Sequence, residues 1–272
     1  MYRLLAVDLD GTLLRRDHRV DERDVAAIRE LHASGVTVTI ATGRLHSGAV
    51  EAARACGIVG PIACVEGSHI LDVDASRQLS RHAMTATDTA RLRAAFSTHG
   101  LASFVFEADG IHHDRSGEPF AGYVRTWSPN MRLVEDTLDA RVWETAPLAA
   151  VAIGDEADVV AAHALLKPYA AELFSVSFAV SWCPGKHAVL VRAAGPTKGT
   201  ALAELCKEAG CTLAEAVAVG DWFNDVPMFE AAGRSFAMGT APDSVRAKAT
   251  DGLEAASGTG GGIAEVVRRA WG

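Results

Sequence analysis

The chain lacks what several protein classes need. No apolar run reaches the ~18 residues of a membrane-spanning helix, so no membrane partner is expected. Positive charge is not in excess: 26 Lys and Arg against 34 Asp and Glu leave a formal charge of −8. That balance argues against a nucleic-acid backbone as partner. Cysteine is sparse and odd in number, with Cys56, Cys64, Cys183, Cys206 and Cys211 in no framework spacing. Reduced, buried thiols in a cytoplasmic protein are the expectation. Cys206 and Cys211 lie five apart with no second pair, which speaks against zinc. No internal repeat is present, and no leader segment is expected ahead of the first apolar run. Trp127, Trp143 and Trp182 are isolated aromatics assigned to packing.

What is present is apolar bulk. Hydrophobic residues make up 49% of 272, enough for a sizeable core in one large or two modest domains. Four apolar residues, Leu4-Leu5-Ala6-Val7, read as a strand buried on both faces. Asp8 and Asp10 follow at its carboxyl end, where open α/β sheets collect their chemistry. Side chains two apart on an extended chain share a face. Two such carboxylates raise each other's pKa unless a cation lies between them. The pattern fits either a solvated Asp-x-Asp turn or a Mg²⁺ site in which one carboxylate also attacks a substrate.

Downstream, strands and helices alternate. An acidic helix start at Asp21 and Asp24 precedes a strand over 36–41, which ends in Thr42-Gly43-Arg44. A helix over 47–56 and a strand over 61–65 follow, then a hairpin through Glu66-Gly67-Ser68. This order implies a doubly wound, parallel sheet. From 83 to 189, hairpins mix with helices, as expected of an inserted α+β domain. The core is expected at 1–82 and 190–272. A cap inserted in this way forms a cleft where ligands sit. Near the end, Thr197-Lys198 opens a helix, and a strand over 216–219 runs into Gly220-Asp221-Trp222-Phe223-Asn224-Asp225. The glycine-rich stretch 257–262 reads as a flexible loop. His112-His113 point to opposite strand faces, so an exposed hairpin fits better than a metal site.

Asp-Leu-Asp-Gly-Thr-Leu-Leu resembles the first motif of the haloacid dehalogenase superfamily of phosphohydrolases. Thr42-Gly43, Lys198 and Gly220 to Asp225 resemble its second, third and fourth motifs, in the right order. The long insertion between the second and third resembles the Cof or IIB type, with an α/β cap and sugar-phosphate-like substrates. The resemblance implies a Rossmannoid core and an aspartyl-phosphate route. Asp8 is then the nucleophile and Asp10 the acid and base. Mg²⁺ would be held by Asp8, Asp221 and the Asp10 carbonyl, with Asp225 direct or in the outer shell. Thr42, Gly43 and the Leu9 N–H would bind phosphate, beside Lys198. Asn224 is assigned to the phosphate or to the cap, and Arg44 to substrate or to a cap carboxylate.

The expected activity is hydrolysis of a small phosphomonoester by a monomer or small homo-oligomer. A phosphomutase, or a sugar-phosphate sensor without turnover, is the alternative; a receiver-like domain fits the long insertion less well. Two departures stand out. Relatives commonly carry Asn-Gly where this chain has Glu66-Gly67; a lone turn glutamate reads as solvated, whereas one touching substrate would disfavour an anionic group and favour sugar hydroxyls or an amine. Trp222 and Phe223 are bulky for the fourth motif and either wall the pocket or, in the simpler reading, pack in the core.

Overall fold

Residues 1–181 and 183–272 are described in a computed structural model; Trp182 lies outside them. In chain order the elements begin with β1 (Leu4–Val7), α1 (Glu22–Ala33), β2 (Thr37–Ile40), α2 (His46–Cys56), β3 (Pro61–Cys64), β4 (His69–Asp72) and β5 (Gln78–Arg81). Next come α3 (Ala86–Thr98), β6 (Ala102–Phe106), β7 (Ile111–His113), α4 (Ala121–Val124), β8 (Met131–Leu133), α5 (Ala140–Trp143), β9 (Ala149–Asp155), α6 (Glu156–Leu166), β10 (Leu173–Ala179) and β11 (Lys186–Ala193). The chain closes with α7 (Lys198–Glu208), β12 (Ala216–Gly220), α8 (Val226–Ala231), β13 (Arg234–Ala237), α9 (Asp243–Arg246), β14 (Asp251–Gly252) and α10 (Gly262–Trp271). No helix among the described residues is long and apolar enough to cross a membrane.

Two units emerge. The first comprises Met1–Gly43, Ala49–Ser80 and Pro196–Gly272; the second comprises Arg44–Gly48 and Arg81–Gly195.

In the first unit, a parallel sheet runs in the order β14-β13-β12-β1-β2. Every residue of β1 is buried, as an interior parallel strand requires. Leu4 and Ala6 share a cluster with Ala216, Ala218, Leu202 and Leu205 of α7, and Phe229 of α8. Alternation turns Leu5 and Val7 to the other face, where α1 packs on β2 and α10 on β12. Helices on both faces make the sheet doubly wound. β3, expected to extend it and to open a hairpin, pairs antiparallel with β4. A parallel bridge, Ala41 to Ala63, and the Thr39 hydroxyl donating to the Pro61 carbonyl at 2.8 Å tie it to β2. The tight turn after Cys64 folds the chain straight back, so β3 takes its partner from the hairpin.

The second unit is an α+β sheet in the order β10-β11-β9-β6-β7-β8. Its pairs are antiparallel except β7 with β8. Leu92 and Phe96 of α3 and Val159 and Leu166 of α6 pack on Val105, Ala150 and Val189 of the sheet. The expected boundary at 189–190 cuts β11, which is bonded along its length to β9 and β10. Arg44–Gly48 also belongs here: the Leu45 N–H donates to the Trp127 carbonyl at 2.9 Å. Trp127 packs on Phe106 and Tyr123, and Trp143 is buried. The hairpin at His112-His113 is not exposed. β7 is an interior strand, and His113 is buried against the Phe104 ring.

The glycine-rich stretch is also fixed rather than flexible. The Gly258 N–H donates to the Gly11 carbonyl at 2.7 Å, and its own carbonyl accepts from the Arg16 N–H at 3.1 Å. Asp24, fully buried, accepts from the Gly261 and Ala264 N–H groups, each at 2.8 Å. It therefore caps α10 from α1, satisfying donors that a helix start leaves open. Asp24→Ala is expected to lower stability by about 2–4 kcal/mol, because buried donors lose a charged acceptor. Urea denaturation checks this; a change below ~0.5 kcal/mol would contradict the capping role.

Candidate active site

Parallel register sets the site. Val7 of β1 lies level with Val219 of β12 and with Ile40 of β2. The residues that follow therefore leave the sheet at one edge: Asp8 from β1, Asp221 from β12 and Thr42 from β2. The Asp8 N–H donates to the Val219 carbonyl, and the Ala41 N–H to the Val7 carbonyl. These bonds carry the ladder right up to the functional residues.

Lys198 is the first residue of α7. Thr197 caps that helix through a reciprocal box with Thr200. Its ammonium is buried and touches Asp8 Oδ1 and Asp225 Oδ1, each at 2.6 Å. Asp225 Oδ2 accepts from the Asp221 and Trp222 N–H groups, at 2.8 and 2.9 Å. Both Asp225 oxygens are thus bonded within the protein. Its role is to hold the ammonium and the turn after β12 together. Gly220 permits this, since a Cβ there would strike the Asp225 carboxylate. Gly11, with φ +84°, lies likewise against the Asp221 carboxylate.

The charges do not balance locally. Burial pushes the Asp8 carboxyl up; Lys198 opposes this, and Asp225 and Asp221 add to it. Burial disfavours the Lys198 ammonium, but Asp225, Asp8 and Glu66 override it and hold its pKa well above the usual range. Asp221 is pushed up to about 6 by burial and then by Asp225. Ligand oxygens of Asp8, Asp221 and Asp225 lie within 4.8 Å of one another. Buried like charges at that spacing, with one ammonium among them, fit an additional cation. An all-oxygen donor set fits a hard divalent ion.

The remaining candidates fall into place around this centre. Asp10 is exposed and adds its charge to Asp221. Leu9 is buried, and its carbonyl accepts from the Thr12 and Leu14 N–H groups. Thr42 is buried; its N–H goes to the Ala63 carbonyl and its own carbonyl accepts from the Glu66 N–H, both at 2.9 Å. Gly43 ends the first unit's segment. Asn224 donates its amide Nδ2 to Glu66 Oε1 at 2.9 Å, and its Oδ1 is buried without a hydrogen bond. Arg44 belongs to the second unit, where Nη1 donates to the Gly48 carbonyl.

Two readings change. Trp222 and Phe223 are not core residues: they are 56% and 54% exposed and meet edge to face at 5.3 Å. The turn that carries Asp225 beneath the Asp221 and Trp222 N–H groups leaves both rings outside. Glu66 is not a solvated turn residue but half-buried, bonded to Asn224 and sensed by Lys198. Its visible signals are the departure from the Asn-Gly of relatives and its position after a strand end, like Asp8 and Thr42.

The chain matches the model of the haloacid dehalogenase-like hydrolase family over residues 5–267. It belongs to that family. Among curated relatives, the HMP-PP phosphatase of Yersinia pseudotuberculosis serotype O:1b (strain IP 31758) is 29% identical over 243 residues, covering 89% of this chain and 85% of that one. Among solved structures, a haloacid dehalogenase-like hydrolase from Bacteroides thetaiotaomicron superposes with a TM-score of 0.85 at 21% identity, covering 99% of each chain. A subclass IIB sugar phosphatase gives a TM-score of 0.80 at 20% identity, covering 98% of each. The hydrolase fold of the family is therefore the fold of this chain.

The buried charges of this hydrolase give a stability test. Lys198→Met should cost about 3–5 kcal/mol, because it strands buried carboxylates. Asp8→Asn leaves the ammonium with Asp225 and should cost under ~1 kcal/mol. Equal losses in metal-free urea denaturation would contradict the asymmetry.

Proposed function

We propose that this hydrolase is a Mg²⁺-dependent phosphatase that cleaves a small phosphomonoester through an aspartyl-phosphate on Asp8. One observation carries the reading: a buried carboxylate at a strand tip, held against a buried ammonium at 2.6 Å, with Asp221 and Asp225 beside it. The names of the relatives, an HMP-PP phosphatase and a sugar phosphatase, point the same way.

Lys198 opposes the effect of burial on Asp8 and so favours the carboxylate form that can act as a nucleophile. Asp8 attacks phosphorus in line, and the phosphorus–oxygen bond to the leaving group breaks. Asp10, exposed and two residues on, gives its proton to the departing alkoxide. It then takes a proton from the water that attacks the phosphoryl group, which frees Asp8 and inorganic phosphate. The Thr42 hydroxyl and the Leu9 and Gly43 N–H groups are assigned to the phosphoryl oxygens. Asp8, Asp221 and the Asp10 carbonyl would hold Mg²⁺. Bound there, the ion offsets charge on the transferring group. Asp225, with both oxygens already bonded, acts by fixing Lys198 and the turn after β12.

Hydrolysis of p-nitrophenyl phosphate tests the reading. Asp8→Asn should reduce turnover by ~10⁴-fold or more. Asp10→Asn should cost ~10²–10⁴-fold, as loss of a general acid and base does. Chelation should abolish activity and Mg²⁺ restore it. Turnover by Asp8→Asn near the starting level, or rescue by Zn²⁺ and not Mg²⁺, would overturn the assignment.

A further inference from the structure

The site carries one charge that phosphoryl transfer does not use. Glu66 sits in the turn between β3 and β4, and its backbone is held where side chains rarely go. Val65, Glu66 and Gly67 have φ of 50°, 58° and 92° in succession. Left-handed backbone at a β-branched residue and then at a glutamate persists only where the surroundings enforce it. Three contacts do so. The Glu66 N–H donates to the Thr42 carbonyl, and the Ser68 N–H to the Val65 carbonyl, each at 2.9 Å. Gly67 lies so close to the Thr197 carbonyl and Ala201 that any Cβ would collide with them. The turn is thereby clamped between the end of β2 and the start of α7, the helix that carries Lys198.

The side chain follows from that backbone. Glu66 Oε1 accepts from Asn224 Nδ2 at 2.9 Å. Its charge reaches the Lys198 ammonium, which in turn touches Asp8. Asn224 is thus turned so that its donor faces Glu66, and its Oδ1 is left buried without a hydrogen bond. A neutral acceptor would orient Asn224 equally well, so orientation does not explain a carboxylate. The remaining consequence is electrostatic. A carboxylate fixed beside the reacting centre repels a second anion on the substrate and attracts a cationic or hydrogen-bond-donating group.

We propose that Glu66 is a specificity-determining residue, selecting phosphomonoesters whose leaving group carries a cationic or hydrogen-bond-donating substituent and rejecting those with a second negative charge. The inference rests on the phosphatase reading above and names the substrate class of that same site.

Three ligands of similar size and one attachment chemistry test it: glucosamine 6-phosphate, glucose 6-phosphate and 6-phosphogluconate. They present cationic, neutral and anionic leaving groups. Glu66→Gln removes the charge but keeps an amide oxygen for Asn224. The wild-type protein should favour the amino sugar over the gluconate in kcat/KM by at least about tenfold beyond neutral expectation. In Glu66→Gln that ratio should fall by about tenfold, with the gluconate gaining and the amino sugar losing. A ratio taken within each protein cancels any common change in rate. Where a hexose phosphate is not turned over, its inhibition constant against p-nitrophenyl phosphate gives the same ratio. If a variant is inactive, calorimetric binding of the three ligands gives it. An unchanged ratio overturns the role of Glu66. A wild-type protein that hydrolyses p-nitrophenyl phosphate yet shows no charge preference also overturns it, while leaving the phosphatase reading standing. Absence of all turnover defeats both.

Discussion

A buried ammonium between two buried carboxylates is the constraint on which the rest depends. Lys198 Nζ lies 2.6 Å from Asp8 and 2.6 Å from Asp225. Burial opposes charge on Asp8, and the Lys198 ammonium works against that effect. The clamp also fixes geometry. It joins the tip of β1, the start of α7 and the turn after β12, three segments far apart in the sequence. One side chain is enough because each segment enters from a buried parallel strand or a capped helix.

Close approach makes the rest possible. Gly220 lets Asp225 lie under the end of β12, and Gly11 leaves room for the Asp221 carboxylate. The Gly258 backbone then braces the Asp10-Gly11 turn from the far end of the chain. The acid assigned to proton transfer is thus exposed on a loop that is itself fixed. Mobility would be a poor property in a proton donor that must meet a leaving group.

How much of this was legible follows from range. β1 and the acids at its tip could be read from a local pattern, an unbroken apolar run and then Asp-x-Asp. Lys198 beside Thr197 showed a helix start, and the order of the motifs supplied the partnership. Asp24 reads locally as part of an acidic helix start, which it is; its second role, as acceptor for α10, lies more than two hundred residues away. Glu66 stands out in the sequence as a departure from the Asn-Gly of relatives, but its partners are hidden for a related reason. Its meaning comes from a left-handed turn wedged against α7, and sequence does not reveal which helix will lie behind a hairpin. Trp222 and Phe223 were misplaced because bulk alone suggests burial. The turn that buries Asp225 turns these rings outward.

The account stands or falls on Asp8 as the atom that receives phosphate. Brief incubation with a phosphomonoester and Mg²⁺, acid quench and borohydride reduction convert an acyl phosphate on aspartate to homoserine. Peptide mass spectrometry should find homoserine at position 8 and at no other aspartate. Unmodified Asp8 during active turnover, or homoserine at Asp10, Asp221 or Asp225 instead, would contradict the mechanism.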